Sequence, residues 1–396
     1  SAAVEPATLL KDPTVKAALA AIERNEPETL NEQARITEIP APPFKETARG
    51  LELKRLFEKL GLKDVRIDKV GNVIGVRPGA LPKPNVVVAA HLDTVFPEET
   101  VVKVKREGKI LSAPGIGDDG RGLAAMLSVI RALDEGGVKT TGTITFVADV
   151  GEEGLGDLRG VKALFNETLK GKIDAFISIE PGAHTRITNA GVGSYRYKVT
   201  FKGPGGHSYG AFGMANPIHA LGRAIAKIGD IKVPPAPKTT FNVGRINGGT
   251  SVNSIAFDCW FEVDMRSETM AALDGVREQF NAAVSEAVKI ENDRWNNRGA
   301  VTADIELVGL RPAGQTPGDS EIVKLASASV VAMGGAPTFG AGSTDSNVPM
   351  QLGIPAVTLG GGGVATRAHS LDESFDSTDS HLGPQAVLLT LVALVR

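Results

Sequence analysis

Two histidines and a group of carboxylates in this 396-residue chain share one habit: each follows a short apolar run. Residues 86–90 lead into His91-Leu92-Asp93, residues 144–147 lead towards Gly151-Glu152-Glu153, and residues 175–179 end at Glu180. Residues 356–359 are followed by four glycines and then His369, while Asp118-Asp119 sits in Gly115-Ile116-Gly117-Asp118-Asp119-Gly120. Imidazole and carboxylate donors without a thiolate suit zinc, with cobalt or manganese as substitutes. A bridging carboxylate permits two ions about 3.5–4 Å apart, which lower the pKa of a shared water and polarise a carbonyl. One acid must stay off the ions to move the proton of that water, and the adjacent pair Glu152-Glu153 can supply both a ligand and a base. Asp93, two residues beyond His91 on the same side of an extended segment, is placed to hold the other N–H of that imidazole.

Taken singly, each signal has an ordinary reading. Asp118-Asp119 suits a turn before a helix, Glu152-Glu153 a helix start, and a lone histidine a hydrogen-bonded structural role. The elements required to position them argue otherwise. The four apolar runs lack alternation and suit strands buried on both faces, as in a parallel sheet covered by helices. Leu123, Met126, Leu127, Ile130 and Leu133 form a helical stripe between the first two runs, ended by Gly136-Gly137. The alternation predicts a doubly wound α/β sheet, whose ligands gather beyond the carboxyl ends of its strands. Carboxylates converging there would repel one another unless a multivalent cation lay among them.

Residues 13–60 read as two helices separated by Pro40-Ala41-Pro42-Pro43. Between about Gly193 and Leu310 the texture changes. Tyr195, Tyr197, Val199 and Phe201 alternate with polar residues, as do Phe257, Cys259, Phe261 and Val263, which predicts an antiparallel sheet. Helices are expected near residues 217–228 and 270–290. The organisation predicted is therefore a discontinuous catalytic domain, residues 1–191 and 312–396, with an inserted α+β domain at 192–311.

The formal charge of −3 offers no basic field for nucleic acid or an anionic membrane, so a small soluble substrate is expected. No run is long enough to span a bilayer. A cytoplasmic location is expected, with an exported form left open because the chain starts at Ser1. The single cysteine, Cys259, admits no internal disulfide and reads as core. The run at residues 360–363 lacks the Lys-Ser/Thr ending of a phosphate loop and reads as a flexible approach to the metal rim. His184, His219 and His381 are read as structural.

With these residues in place, the chain resembles the M20 family of metallopeptidases, which includes glutamate carboxypeptidase, peptidase T and acetylornithine and succinyl-diaminopimelate deacylases. The segments that carry it are His91-Leu92-Asp93-Thr94-Val95, Gly115 through Gly120, Gly151-Glu152-Glu153-Gly154, Ser178-Ile179-Glu180-Pro181, Gly205-Gly206-His207-Ser208 and Ala368-His369-Ser370. They occur in family order and cover nearly the whole chain. The resemblance implies two Zn2+ ions bridged by Asp118, one completed by Glu153 and His369 and the other by His91 and Glu180, with Glu152 as base. It implies a cis peptide bond at Asp118-Asp119, and it makes the insertion a ferredoxin-like lid that also forms a homodimer. There His207 would help stabilise the oxyanion, and Asn253 and Arg266 would bind substrate. Gly342 through Asn347 is similar to a family segment near the substrate pocket. Glu180, where aminopeptidases of the family tend to carry Asp, favours a carboxypeptidase or deacylase acting on a small peptide or N-acyl amino acid. Residues 248–254 also resemble peptidase T-like members, so an aminopeptidase stands as the alternative, and a metal-binding protein of the same fold without catalysis as another.

Overall fold

A computed structural model describes residues 3–396. The chain divides into two compact units, Ser1–Gly191 with Gln315–Arg396, and Val192–Gly314. The first is built on a mixed sheet. In chain order its main strands are β1 (Lys63–Ile67), β2 (Val73–Arg77), β3 (Asn85–His91), β4 (Thr143–Asp149), β5 (Ala175–Glu180), β6 (Arg186–Gly191), β7 (Thr338–Gly342) and β8 (Ala356–Gly360). They lie in the order β1-β2-β4-β3-β5-β8-β6, with β7 beside β6. The central four, β4, β3, β5 and β8, are mutually parallel, and β2 and β6 run against them at the flanks.

The absence of alternation in β3 has a direct cause. Val86, Val88 and Ala90 pack on one face with Leu53, Leu123, Met126 and Leu388, whereas Val87 and Ala89 pack on the other with Phe165, Phe176 and Val348. A strand with an apolar layer on each side needs an apolar residue at every position. The first layer comes from helices Pro13–Glu38, Thr47–Lys59, Gly120–Glu135 and Leu382–Val395. Pro13–Glu38 is started by Asp12, whose side chain accepts from the Thr14 N–H at 2.8 Å, with Pro13 pre-set in the first helical turn. It ends before the proline cluster at residues 40–43, which separates it from Thr47–Lys59.

A small antiparallel sheet, ordered Val364–Thr366, Ser374–Asp376, Ile110–Ser112 and Lys105–Glu107, carries His369 in the loop between its first two strands. The glycine run at residues 360–363 is a packed corner rather than the flexible approach its composition suggests. A Cβ at Gly362 would lie 2.2 Å from the Ser380 carbonyl oxygen, and buried Arg121 donates to the Gly361 and Ser380 carbonyls at 2.7 and 2.8 Å. The glycines are there because backbone meets backbone.

The second unit is a four-stranded antiparallel sheet ordered Thr239–Gly248, Asp258–Ser267, Gly193–Lys202 and Thr302–Arg311, with helices Pro217–Gly229 and Met270–Arg294. In chain order this is β-α-β-β-α-β, the ferredoxin-like arrangement. Tyr195, Tyr197, Val199 and Phe201 meet Cys259, Phe261, Val263 and Met265 in its core. Phe257 does not join them. It precedes the strand and is 55% exposed. Among the described residues no helix is long and apolar enough to cross a membrane.

Candidate metal centre

The parallel strands deliver their downstream residues to one rim. His91 closes β3 and Glu180 closes β5; β4 passes through Asp149 into the turn that carries Glu152 and Glu153. That turn is shaped by Gly151, at φ 66°, where a Cβ would lie 2.4 Å from the Arg159 guanidinium. Asp118 and Asp119 precede helix Gly120–Glu135, and the bond between them is cis, as the resemblance implied.

Asp118 lies between the two histidines. Its Oδ1 is 3.0 Å from His91 Nε2 and its Oδ2 is 3.0 Å from His369 Nε2. Glu153 Oε1 is also 3.0 Å from His369 Nε2, and Glu152 and Glu180 each come within 3.6 Å of His91 Nε2. Potential donor atoms within 4.8 Å of one another fall into three overlapping groups: His91, Asp118, Asp119 and Glu180; His91, Glu152 and Glu153; Asp118, Glu153 and His369. All five residues expected as ligands, and Glu152, are thus brought together.

The charge states follow from crowding. Burial pushes the Glu180 carboxyl up to about 7 against the pull of His91, and burial with the charge of Glu180 pushes Glu152 well above its ordinary range. Glu153 also rises through burial, although its hydrogen bond to His369 pulls the other way. Burial disfavours charge on His91, but Glu180, Asp119 and Glu152 outweigh it and hold the imidazole protonated. Hydrogen bonds to Asp118 and Glu153 raise His369 to about 10. Asp118 is the exception among the clustered acids. Burial opposes its charge, yet the hydrogen bonds from His369 and His91 keep it well below its usual range. Both Nε2 protons therefore stand where bonds to a cation would form, and both are bound only because acids surround them. The donor set fits a divalent ion.

Asp93 meets the imidazole nitrogen that the sequence expectation gave it, and holds a second segment as well. His91 Nδ1 is 2.9 Å from the Asp93 backbone carbonyl and 3.4 Å from its carboxylate Oδ1. A carbonyl only accepts, so Nδ1 donates and Nε2 is the atom left to face the cluster. The Asp93 carboxylate also accepts the backbone N–H groups of Glu152 at 3.0 Å and Glu153 at 2.8 Å, clamping the turn that carries both acids.

Four supporting groups received no role from the sequence. Asp119 is fully buried, accepts the His91 N–H at 3.1 Å through Oδ2, and has no hydrogen-bond partner for Oδ1. Its proximity to Asp118 was visible, but a paired acid reads equally well as a turn. Glu373 accepts the N–H groups of Gly117 and Asp118 at 2.9 and 3.0 Å and that of His369 at 3.3 Å, joining two remote segments. Arg49, fully buried, donates to the Thr37, Ile39 and Leu92 carbonyls. Its cation faces Asp93 and Asp119, and even with burial lowering it to about 10 it stays charged. Asp345 and Asp149 are both buried, and among the described residues none of their carboxylate oxygens has a hydrogen-bond partner. Burial and the Asp149 charge push Asp345 well above its ordinary range, and burial pushes Asp149 up to about 7.

The other predicted residues belong to the inserted unit. His207 is exposed, and its Nδ1 accepts from the Tyr209 and Gly210 N–H groups at 3.2 Å. Asn253 accepts from the Ser251 hydroxyl at 2.6 Å, and Arg266 Nε donates to Asp264 at 2.8 Å. The His207 and Asn253 segments are joined, since the Ser208 N–H donates to the Asn253 carbonyl at 2.9 Å. His184, His219 and His381 lie outside the cluster.

Residues 87–394 match the model of peptidase family M20/M25/M40. The chain belongs to the M20 family. It is 27% identical to uncharacterised protein YqjE of Bacillus subtilis over 85% of this chain and 90% of that protein. It is 26% identical to succinyl-diaminopimelate desuccinylase of Nitrosospira multiformis, over 70% of this chain and 80% of the other. The fold is similar to that of aminopeptidase PepT from Bacillus cereus, with a TM-score of 0.77, 23% identity, and 93% and 99% of the two chains covered. M20 proteins are metal-dependent hydrolases, and the cluster of His91, Asp118, Glu153, Glu180 and His369 is where this member could hold its metal.

Proposed function

We propose that this M20 hydrolase holds two Zn2+ ions, with Co2+ or Mn2+ as possible substitutes, and cleaves the amide bond of a small peptide or N-acyl amino acid. The observation that carries the reading is Asp118, whose two oxygens address different histidines. On this reading Glu153 and His369 complete one ion site, and His91 and Glu180 the other. When bound, the ions would lower the pKa of a shared water and polarise the scissile carbonyl. Glu152, buried and unable to ionise easily on its own, takes the water proton and delivers it to the departing nitrogen, which its raised proton affinity favours. Asp93 keeps Glu152 and Glu153 in register by holding both of their N–H groups. From the inserted unit, His207 would stabilise the oxyanion and Asn253 and Arg266 would bind the substrate carboxylate, with that unit also forming a homodimer.

Glu152→Gln tests the base. The variant should still bind metal, because the substitution leaves the five proposed ligands intact, yet lose at least about a hundred-fold in kcat, as removal of a general base does. Near-normal turnover would sink the assignment. Glu180 favours carboxypeptidase or deacylase activity. Residues 248–254, similar to peptidase T-like members, favour an aminopeptidase. An N-acyl dipeptide with a free carboxylate, tested beside a free-amine dipeptide amide, separates the two by which one releases amine.

A further inference from the structure

A cavity of about 700 Å³ opens within the first unit, lined in part by residues two and three positions after His369, and none of the proposed ligands or their supporting groups lines it. Its lining includes Glu99, Val101, Lys103 and Lys105 from the segment 99–105, together with Leu371 and Asp372. The lining is coupled to the proposed ligands through Glu373. Its carbonyl accepts the N–H of Ala113, another lining residue, at 3.1 Å, while its carboxylate holds the N–H groups of Asp118 and His369. Leu371 and Asp372 themselves fill the short stretch between His369 and Glu373.

The charges in this cavity do not cancel. Asp372 is matched by Arg367 at 3.1 Å, but among the described residues neither Lys103 nor Lys105 forms an ion pair. Two ammonium groups therefore face a single unmatched carboxylate, Glu99, in a chain whose overall charge is negative. Between them lie large aliphatic side chains turned to solvent, Val101 at 83% exposure and Leu371 at 70%. Solvent-facing aliphatic groups flanked by free cations suit an aliphatic chain that ends in an anion.

We propose that this cavity is a specificity subsite, with Lys103 and Lys105 selecting substrates whose acyl group or side chain remote from the scissile amide is an aliphatic chain ending in a carboxylate. The inference rests on the hydrolase reading above and names its substrate class. The test compares N-succinyl and N-acetyl derivatives of one amino acid, cleaved by the full chain loaded with zinc, for the wild type, Lys103→Ala/Lys105→Ala and Lys103→Glu/Lys105→Glu.

The wild type should favour the succinyl substrate in kcat/KM, and each lysine should account for up to about five-fold of that preference, as suits exposed pairs. The double alanine variant should lose most of the preference, the double glutamate variant should invert it, and 0.5 M salt should erode it by screening. A succinyl-to-acetyl ratio unchanged by either variant, with both substrates turned over, overturns the subsite and leaves the hydrolase reading standing. Turnover of neither substrate by the wild type overturns the deacylase side of that reading, and the subsite falls with it.

Discussion

Chelating the metal should make the protein's stability fall with rising pH, and restoring the metal should abolish that dependence. The argument starts from Glu180, whose carboxyl rises from an ordinary 4.5 to about 7 when buried in the metal-free cluster. A group with a raised folded-state pKa contributes stability that is fully present below its unfolded value and lost as the pH passes its folded value. At roughly 1.4 kcal/mol per pH unit, Glu180 alone withdraws about 3 kcal/mol between pH 4.5 and just above 7. Glu152, Glu153 and Asp119 are shifted in the same direction and add to the loss. His369, raised to about 10, extends it to higher pH. Asp118 is held low, so its contribution is constant above pH 5. A bound divalent ion displaces these protons and removes their linkage. The assay is thermal unfolding with EDTA and with saturating Zn2+, at pH 5.5 and 8. Glu180 gives up about 2 kcal/mol of this between pH 5.5 and 8, and at roughly 1–2 °C per kcal/mol for a chain of this length the gap between the two curves should widen by about 2–4 °C at the higher pH. A gap equal at both pH values, or a chelated protein as stable at pH 8 as at 5.5, would refute the claim that uncompensated acids dominate the empty centre.

Two further substitutions probe the framework around the centre. Asp93→Ala removes the acceptor for both the Glu152 and Glu153 N–H groups and should cost about 3 kcal/mol in urea unfolding, because two buried donors lose a charged partner; a loss under about 0.5 kcal/mol would mean that the turn holds itself. Glu373→Ala should weaken zinc binding by roughly ten- to a hundred-fold, as loss of an outer partner does. The measurement is a competition titration against a chromophoric chelator, and unchanged affinity would show that the Asp118 and His369 segments meet without it.

What the sequence disclosed and what it concealed divide along a physical line. The four central strands were legible because a strand covered on both faces must be apolar at every position, and residues 86–90 satisfy that without reference to anything distant. The metal cluster was legible for the complementary reason: charged residues directly after such strands have no packing role, so their recurrence required a shared purpose. Glu373 and Arg49 were not legible, because nothing local to them is unusual. Their meaning lies in backbone groups that only the fold brings near. Glu373 is defined by the N–H groups of Gly117 and Asp118, more than 250 residues away, and Arg49 by carbonyls on both sides of the proline break. Asp93 shows the same limit within a single motif. Its spacing from His91 disclosed the hold on the imidazole, made by the backbone carbonyl at 2.9 Å with the carboxylate at 3.4 Å, but not the grip of that carboxylate on a turn far along the chain. The glycine corner at residues 360–363 errs in the same way: composition alone equates glycine with freedom, whereas here the missing side chains let Arg121 and the Ser380 backbone close against the main chain. Donor chemistry can be inferred from a residue and its neighbours, but the partner that fixes its orientation is a property of topology.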